Sequence, residues 1–210
     1  MSIRSPRIAG PAVLILSVPL AWELGTANVD GLFFAGFIGA WLLARGGRDR
    51  AAGVLIAIMA SVKIWPGLLI VWFVAQGRGK AVAAFLVSGL AIGLGWVLFA
   101  GLSANLDYLG IGATIKPSPG SIAGVLLSVG VDVPWIGYGL AAATVVAMVL
   151  LRRFRALTYA LAIGAIVLAS PALYLNSFAL LFTPLAPFVW PLSSMPNRRP
   201  YDRRVARTHR

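Results

Sequence analysis

The chain contains no cysteine, and its single histidine, His209, lies one residue from the end. Without thiols there is no disulfide, no thiolate nucleophile and no Cys-type metal site. His209 sits in an arginine-rich tail, so no histidine-based metal or acid-base centre can be built among the apolar segments. Acidic residues are scarce as well: 6 Asp and Glu stand against 18 Lys and Arg. Charged residues make up only 11% of the chain, whereas soluble domains carry roughly 25%. What is present in excess is apolar, with 60% of the 210 residues hydrophobic. These proportions define a polytopic integral membrane protein, all-α, with one transmembrane domain over residues 1–191 and a basic tail over 192–210. The tail reads as disordered, cytoplasmic and drawn to anionic membrane lipids. The net charge of +12 does not point to nucleic acid, because the basic residues fall in short clusters between apolar runs.

Apolar runs occupy about residues 8–22, 31–44, 51–75, 81–100, 134–151, 156–170 and 172–191, which predicts about 6 to 8 membrane helices. Several are short: at about 1.5 Å per residue, 15 residues cover about 22 Å of a hydrocarbon core about 30 Å thick. The first run follows Arg4 and Arg7 as a signal peptide would, but "LAWELGTANVD" has no small-x-small cleavage site and reads as a span.

The run 51–75 carries the topology. A single crossing would put "RGGRDR" (45–50) and the basic pair Arg78 and Lys80 on opposite faces, against the tendency of Lys and Arg to collect in cytoplasmic loops. A broken hairpin removes the conflict: residues 51–62 ascend, the chain turns near Lys63 to Pro66, and 67–75 descend. Proline lacks a backbone N–H and disfavours helix at the residue before it, here Trp65. The later runs then alternate so that "RRFR" (152–155), both termini and every basic residue except Lys63 and Lys116 are cytoplasmic. Glu23, Asp30, Asp107 and Asp132 fall outside.

A lysine at mid-bilayer costs about 2.5 to 3.5 kcal/mol on insertion scales. Lys63 is therefore expected at the helix break near the external face, facing a polar cavity, the alternative being a side chain that reaches the outer headgroups beside an interfacial Trp65. In the long outer connection 101–133, "KPSPGSIAGVLLSVG" predicts a short helix capped by Ser121 and stopped at Gly130, with Lys116 ahead of it as a candidate phosphate contact. Asp30, Glu23 and Asp107 are candidate general bases, Asp30 equally fitting a helix N-terminal charge. Asn28 suits a cap or a polar ligand contact, and Gly89 and Gly93 share a helix face suited to close packing.

Three stretches, "GTANVD" (25–30), "ASVKIWPGLLIVWF" (60–73) and "SPALYLNSFALLFTPLAPF" (170–188), resemble in order the motifs of glycosyltransferase family 87, GT-C-type membrane enzymes. Gly25 and Asn28 match a G-Q-x-N element, Lys63 and Pro66 an L-K-x-x-P element, and Ser170 and Pro171 an S-P-x-x-W-x-H element. Thr26 stands where the family has Gln, and Tyr174 and Asn176 where it has Trp and His. The resemblance implies an inner (plasma) membrane hexosyltransferase that uses a polyprenyl-phosphate-linked sugar, typically mannose, on the outer face. The acceptor would be a glycolipid or a polysaccharide, with no cofactor and no metal. It further implies that Lys63 and Lys116 contact the donor phosphate, while Asn28, Pro66, Tyr174 and Asn176 line the cavity. The family's catalytic Asp lies in a first external loop ahead of several spans. The chain resembles the C-terminal half, so the expectation is an N-terminally truncated gene product, a wrongly assigned start codon or one half of a split protein, inactive alone. The rival readings are a small lipid-carrier transporter or flippase and a structural membrane subunit; no internal repeat supports the transporter.

Overall fold

Two loops of like sequence, "ARGGRD" and "AQGRGK", shape one end of the molecule. The computed structural model describes residues 29–114, 116–170, 180 and 182–189. Helix α1 (Asp30–Arg45) carries its acid in the first turn and its arginine in the last, the arrangement that the helix dipole favours. It stops at Gly47, whose φ of 69° is a left-handed conformation open to glycine. That turn lets the Gly47 amide reach the Ala44 carbonyl at 3.2 Å and the Arg48 amide reach the Leu43 carbonyl at 2.8 Å, so the last carbonyls of α1 are satisfied. Helix α2 (Asp49–Val62) starts at once. The same device ends α3 (Leu69–Ala75), where Gly77 has a φ of 66° and the Arg78 amide donates to the Phe73 carbonyl at 2.9 Å.

Between α2 and α3 the chain breaks where the sequence predicts. The extended residue is Lys63, with φ −149° and ψ 127°. Trp65 and Pro66 instead open a short 3-10 helix, Trp65–Leu68. Proline is tolerated there because the first-turn amides of a helix have no intrahelical partner.

The segment doubles back. The Arg78 guanidinium contacts Asp49 Oδ1 at 2.6 Å and the Ala44 carbonyl at 2.7 Å, so the two ends of residues 51–75 lie side by side. Helix α4 (Gly79–Ala100) then runs parallel to α2, and the two backbones meet at Gly53, where a Cβ would lie 2.1 Å from the Ala81 carbonyl oxygen. The close approach therefore falls at Gly53, while Gly89 and Gly93, where sequence placed it, face open space.

The 22-residue α4 is long and apolar enough to cross a membrane; at about 1.5 Å per residue it reaches about 33 Å. It is the one described helix that qualifies by both length and composition. After it comes α5 (Leu102–Thr114), a helix that sequence reading left as loop. The predicted short helix follows as α6 (Ile122–Ser128), with Ser121 Oγ accepting from the Gly124 amide and Gly130 at φ 84° ending it. Helices α7 (Ile136–Leu150) and α8 (Arg155–Ala169) pair antiparallel across residues 151–154, and α9 (Ala186–Val189) is a single turn. Among the described residues every regular element is helical and none is a strand.

Large aromatic side chains fill the centre. Trp41 of α1, Trp72 of α3 and Tyr159 of α8 are fully buried, with ring centroids 4.9 to 5.7 Å apart. The polar tips of Trp72 and Tyr159 have partners, as buried indole and phenol groups require. Trp72 Nε1 donates to Thr158 Oγ1 at 3.1 Å, and Tyr159 Oη donates to the Phe37 carbonyl at 2.5 Å. These bonds tie α8 to α1 and α3. Where lipid surrounds a bundle, such packing and hydrogen bonding replace the hydrophobic drive available in water.

Candidate functional site

The end opposite the glycine turns gathers residues from three distant parts of the chain. Asp30 is the first residue of α1, so the helix N-terminus favours its negative charge. Lys63 leaves the end of α2 in extended backbone, and its Nζ lies 3.1 Å from Asp30 Oδ1. The Asp30 side chain is 1% exposed and that of Lys63 is 30% exposed. A carboxylate so buried is costly unless paired, and the ammonium supplies the pairing. Lys63 is therefore anchored on a buried acid as well as reaching outward.

A concavity opens beside this pair. Phe33 and Phe37 line it from α1, Trp65 and Pro66 from the 3-10 helix, and Ile166 and Ser170 from the end of α8. It measures about 290 Å³ to its open mouth, but its interior has room for only about one water molecule. The walls are mainly apolar, where sequence predicted a polar cavity; Asp30, Lys63 and Ser170 are its polar groups. In such surroundings each charge contact is stronger than in water.

A second concavity measures about 250 Å³ to its mouth. It is lined by Pro117, Ser121, Pro134, Gly137 and Tyr138, and it shares Ser170 with the first. Trp65 of the first and Tyr138 of the second have ring centroids 5.7 Å apart, tilted by 31°.

The residues singled out in sequence are distributed as follows. Asp30, Lys63 and Pro66 converge on the first concavity together with Ser170. Asp107 is exposed on α5 and lines neither concavity. Lys116 is exposed just before Pro117 and lines neither one. In the first turn of α6 the Gly124 amide is already bonded to Ser121 Oγ at 3.1 Å. Glu23, Asn28, Tyr174 and Asn176 lie outside the described residues. Tyr138 is the wall residue that sequence reading missed. Its position in "PWIGYG" carries no motif, and only the α7–α8 pairing brings it to Trp65. Among the described residues no three His, Cys, Asp or Glu come together as a metal site would need.

Among the described residues the elements are all helical, one helix is fit to cross a membrane, and a lysine and an aspartate stand at the mouth of an apolar cleft. The chain belongs to glycosyltransferase family 87, whose sequence profile matches residues 3–171. No curated protein and no solved structure matches it. Membership brings a sugar donor and an acceptor as the general substrates; the structure puts Lys63, Pro66 and Ser170 around one cleft.

Proposed function

We propose that the protein transfers a sugar, mannose being the favoured one, from a polyprenyl-phosphate carrier to a glycolipid or polysaccharide acceptor at the outer face of the membrane. In such a transfer the bond from the anomeric carbon to the phosphate oxygen breaks as the acceptor oxygen attacks. The acceptor proton passes to a base, and the carrier phosphate leaves with the electron pair. Negative charge grows on that phosphate, and a preorganised cation beside it lowers the barrier. Lys63 is assigned this contact. Asp30 is a positioning residue that touches Lys63 and fixes where the ammonium points.

One observation carries the reading: Lys63 Nζ sits 3.1 Å from buried Asp30 at the mouth of a cleft that also holds Pro66 and Ser170. Because the interior has room for about one water, the donor phosphate binds at the mouth and draws Lys63 toward it, in competition with Asp30.

The proposal includes several crossings, with the Asp30 and Lys63 end outside. It is supported by the gathering of loops 45–50, 76–80 and 152–155 at the opposite end: Gln76 Nε2 donates to the Arg152 carbonyl at 2.9 Å, beside the Arg78 contacts with Asp49 and Ala44. Since the chain has no cysteine, single cysteines report sidedness cleanly. Arg48→Cys and Gly79→Cys are expected to label from the same side, and Lys116→Cys from the other; labelling of the first two from different sides removes the topology.

The direct test is transfer of labelled mannose from its polyprenyl-phosphate carrier in membranes containing the protein. In contrast to the inactivity expected from sequence, this reading has the native chain give product and Lys63→Ala lose about 100-fold or more, the cost typical of removing one stabilising contact to developing charge. No product from the native chain removes the transferase reading. Product unchanged by Lys63→Ala removes the assigned role of the lysine.

A further inference from the structure

The end of the bundle that holds the glycine turns carries a charge pattern that the sugar chemistry does not use. Three loops distant in sequence are bound together there through backbone carbonyls. Arg78 reaches the Ala44 carbonyl at 2.7 Å, Gln76 reaches the Arg152 carbonyl at 2.9 Å, and Trp72 Nε1 reaches the Arg155 carbonyl at 3.3 Å. These contacts bring the exposed side chains of Arg48, Arg50, Lys80, Arg152, Arg153 and Arg155 to one face. Asp49, the acid within those loops, is engaged by Arg78 at 2.6 Å. The face is therefore positive with no acid to spare among its loops.

An apolar shoulder adjoins it. Val54 is 38% exposed, Val74 58%, Leu150 76% and Phe154 46%, and the Arg153 guanidinium lies 4.6 Å from the centre of the Phe154 ring. An arginine against an exposed aromatic ring, with aliphatic side chains on one side and open cations on the other, suits a molecule that is anionic at one end and apolar at the other. A polyanion such as nucleic acid would use the cations and leave the shoulder unmatched.

We infer that this face docks the anionic headgroups of membrane phospholipids, their phosphates on the arginines and their acyl chains along the shoulder. Juxtamembrane cations attract such headgroups additively and lose that attraction in salt. The inference is independent of the transferase reading, since it concerns the opposite end of the molecule.

The test is lipid exchange on the purified full chain in mixed micelles of phosphatidylglycerol and phosphatidylcholine, with the retained lipids measured by mass spectrometry. The native protein is expected to retain phosphatidylglycerol preferentially and to lose the preference in high salt. The triple variant Arg152→Gln, Arg153→Gln, Arg155→Gln leaves the carbonyl contacts of the loops intact, and its preference is expected to fall by about tenfold or more. The matching triple change to lysine is expected to restore it. Helix content measured on each variant separates loss of binding from loss of fold. Equal retention of the two lipids by the native protein overturns the proposal. So does a preference undiminished in a folded Gln variant, and so does tighter binding of a short single-stranded RNA than of phosphatidylglycerol.

Discussion

The molecule has an ion pair at each end, and the two are built for different work. Lys63 and Asp30 are 33 residues apart, Arg78 and Asp49 are 29 apart, and each pair joins the start of one helix to the end or edge of another. At the glycine-turn end, Arg78 is held by Asp49 at 2.6 Å and by the Ala44 carbonyl at 2.7 Å, and its guanidinium lies 5.7 Å from the centre of the Trp72 ring. The two side chains are exposed to similar degrees, 17% and 21%. Such a cation is enclosed by partners, and its fork shape matches several acceptors at once. At the cleft end the exposure is lopsided, 30% for Lys63 against 1% for Asp30. The acid is fixed inside while the ammonium, a point charge on a flexible stem, looks out of an opening. The first arrangement is a latch. The second leaves a charge able to change partners.

That contrast is testable by breaking each pair in turn. The largest expected effect is catalytic: Lys63→Ala removes sugar transfer by about 100-fold or more while helical content stays near native. Arg78→Ala should act chiefly through folding, because it strands Asp49 and the Ala44 carbonyl. A loss of about 3 kcal/mol is expected on the scale for partly buried pairs, read as denaturation in detergent, with Arg78→Lys recovering only part. If the two variants produce the same mixture of lost stability and lost activity, the distinction between latch and exchangeable charge fails.

A second pair of changes sharpens the comparison through the backbone. Gly53→Ala would set a Cβ 2.1 Å from the Ala81 carbonyl oxygen, and moving two packed helices apart costs about 1 to 3 kcal/mol. Gly89→Ala meets open space and should change stability by less than about 0.5 kcal/mol. The change Trp72→Phe falls between these two. It removes the indole donor to Thr158 at 3.1 Å and Arg155 at 3.3 Å, and about 1 kcal/mol is the usual net worth of such hydrogen bonding.

Much of this architecture was readable in the chain. Charge distribution alone required residues 51–75 to turn back, and the Arg78 contacts with Ala44 and Asp49 place both ends of that segment together. Ser121 and Gly130 marked the limits of α6 because capping and left-handed termination are local events. Pairings between distant elements were not legible. Nothing local says that Asp30 must meet Lys63, since the contact depends on the matched lengths of α1 and α2 across a three-residue turn. Trp65 was read as the residue that proline would force out of helix. The chain bends two residues earlier, at Lys63, because a 3-10 helix accepts proline in its first turn. Helix α5 was overlooked because small and polar residues in "SANLDYLGIGAT" dilute its apolar period, so composition alone suggested a loop.

The short glycine turns also govern how the bundle can move. At Gly47 and Gly77 the connections are too tight to let the adjoining helices slide along one another, and Arg78 pins both at their base. The opposite rim is closed by a lysine that a competing anion can draw away. With three segments stitched at the Arg78 end and one exchangeable ion pair at the other, the firmer fastening of the bundle lies at the glycine turns and the looser one beside Trp65.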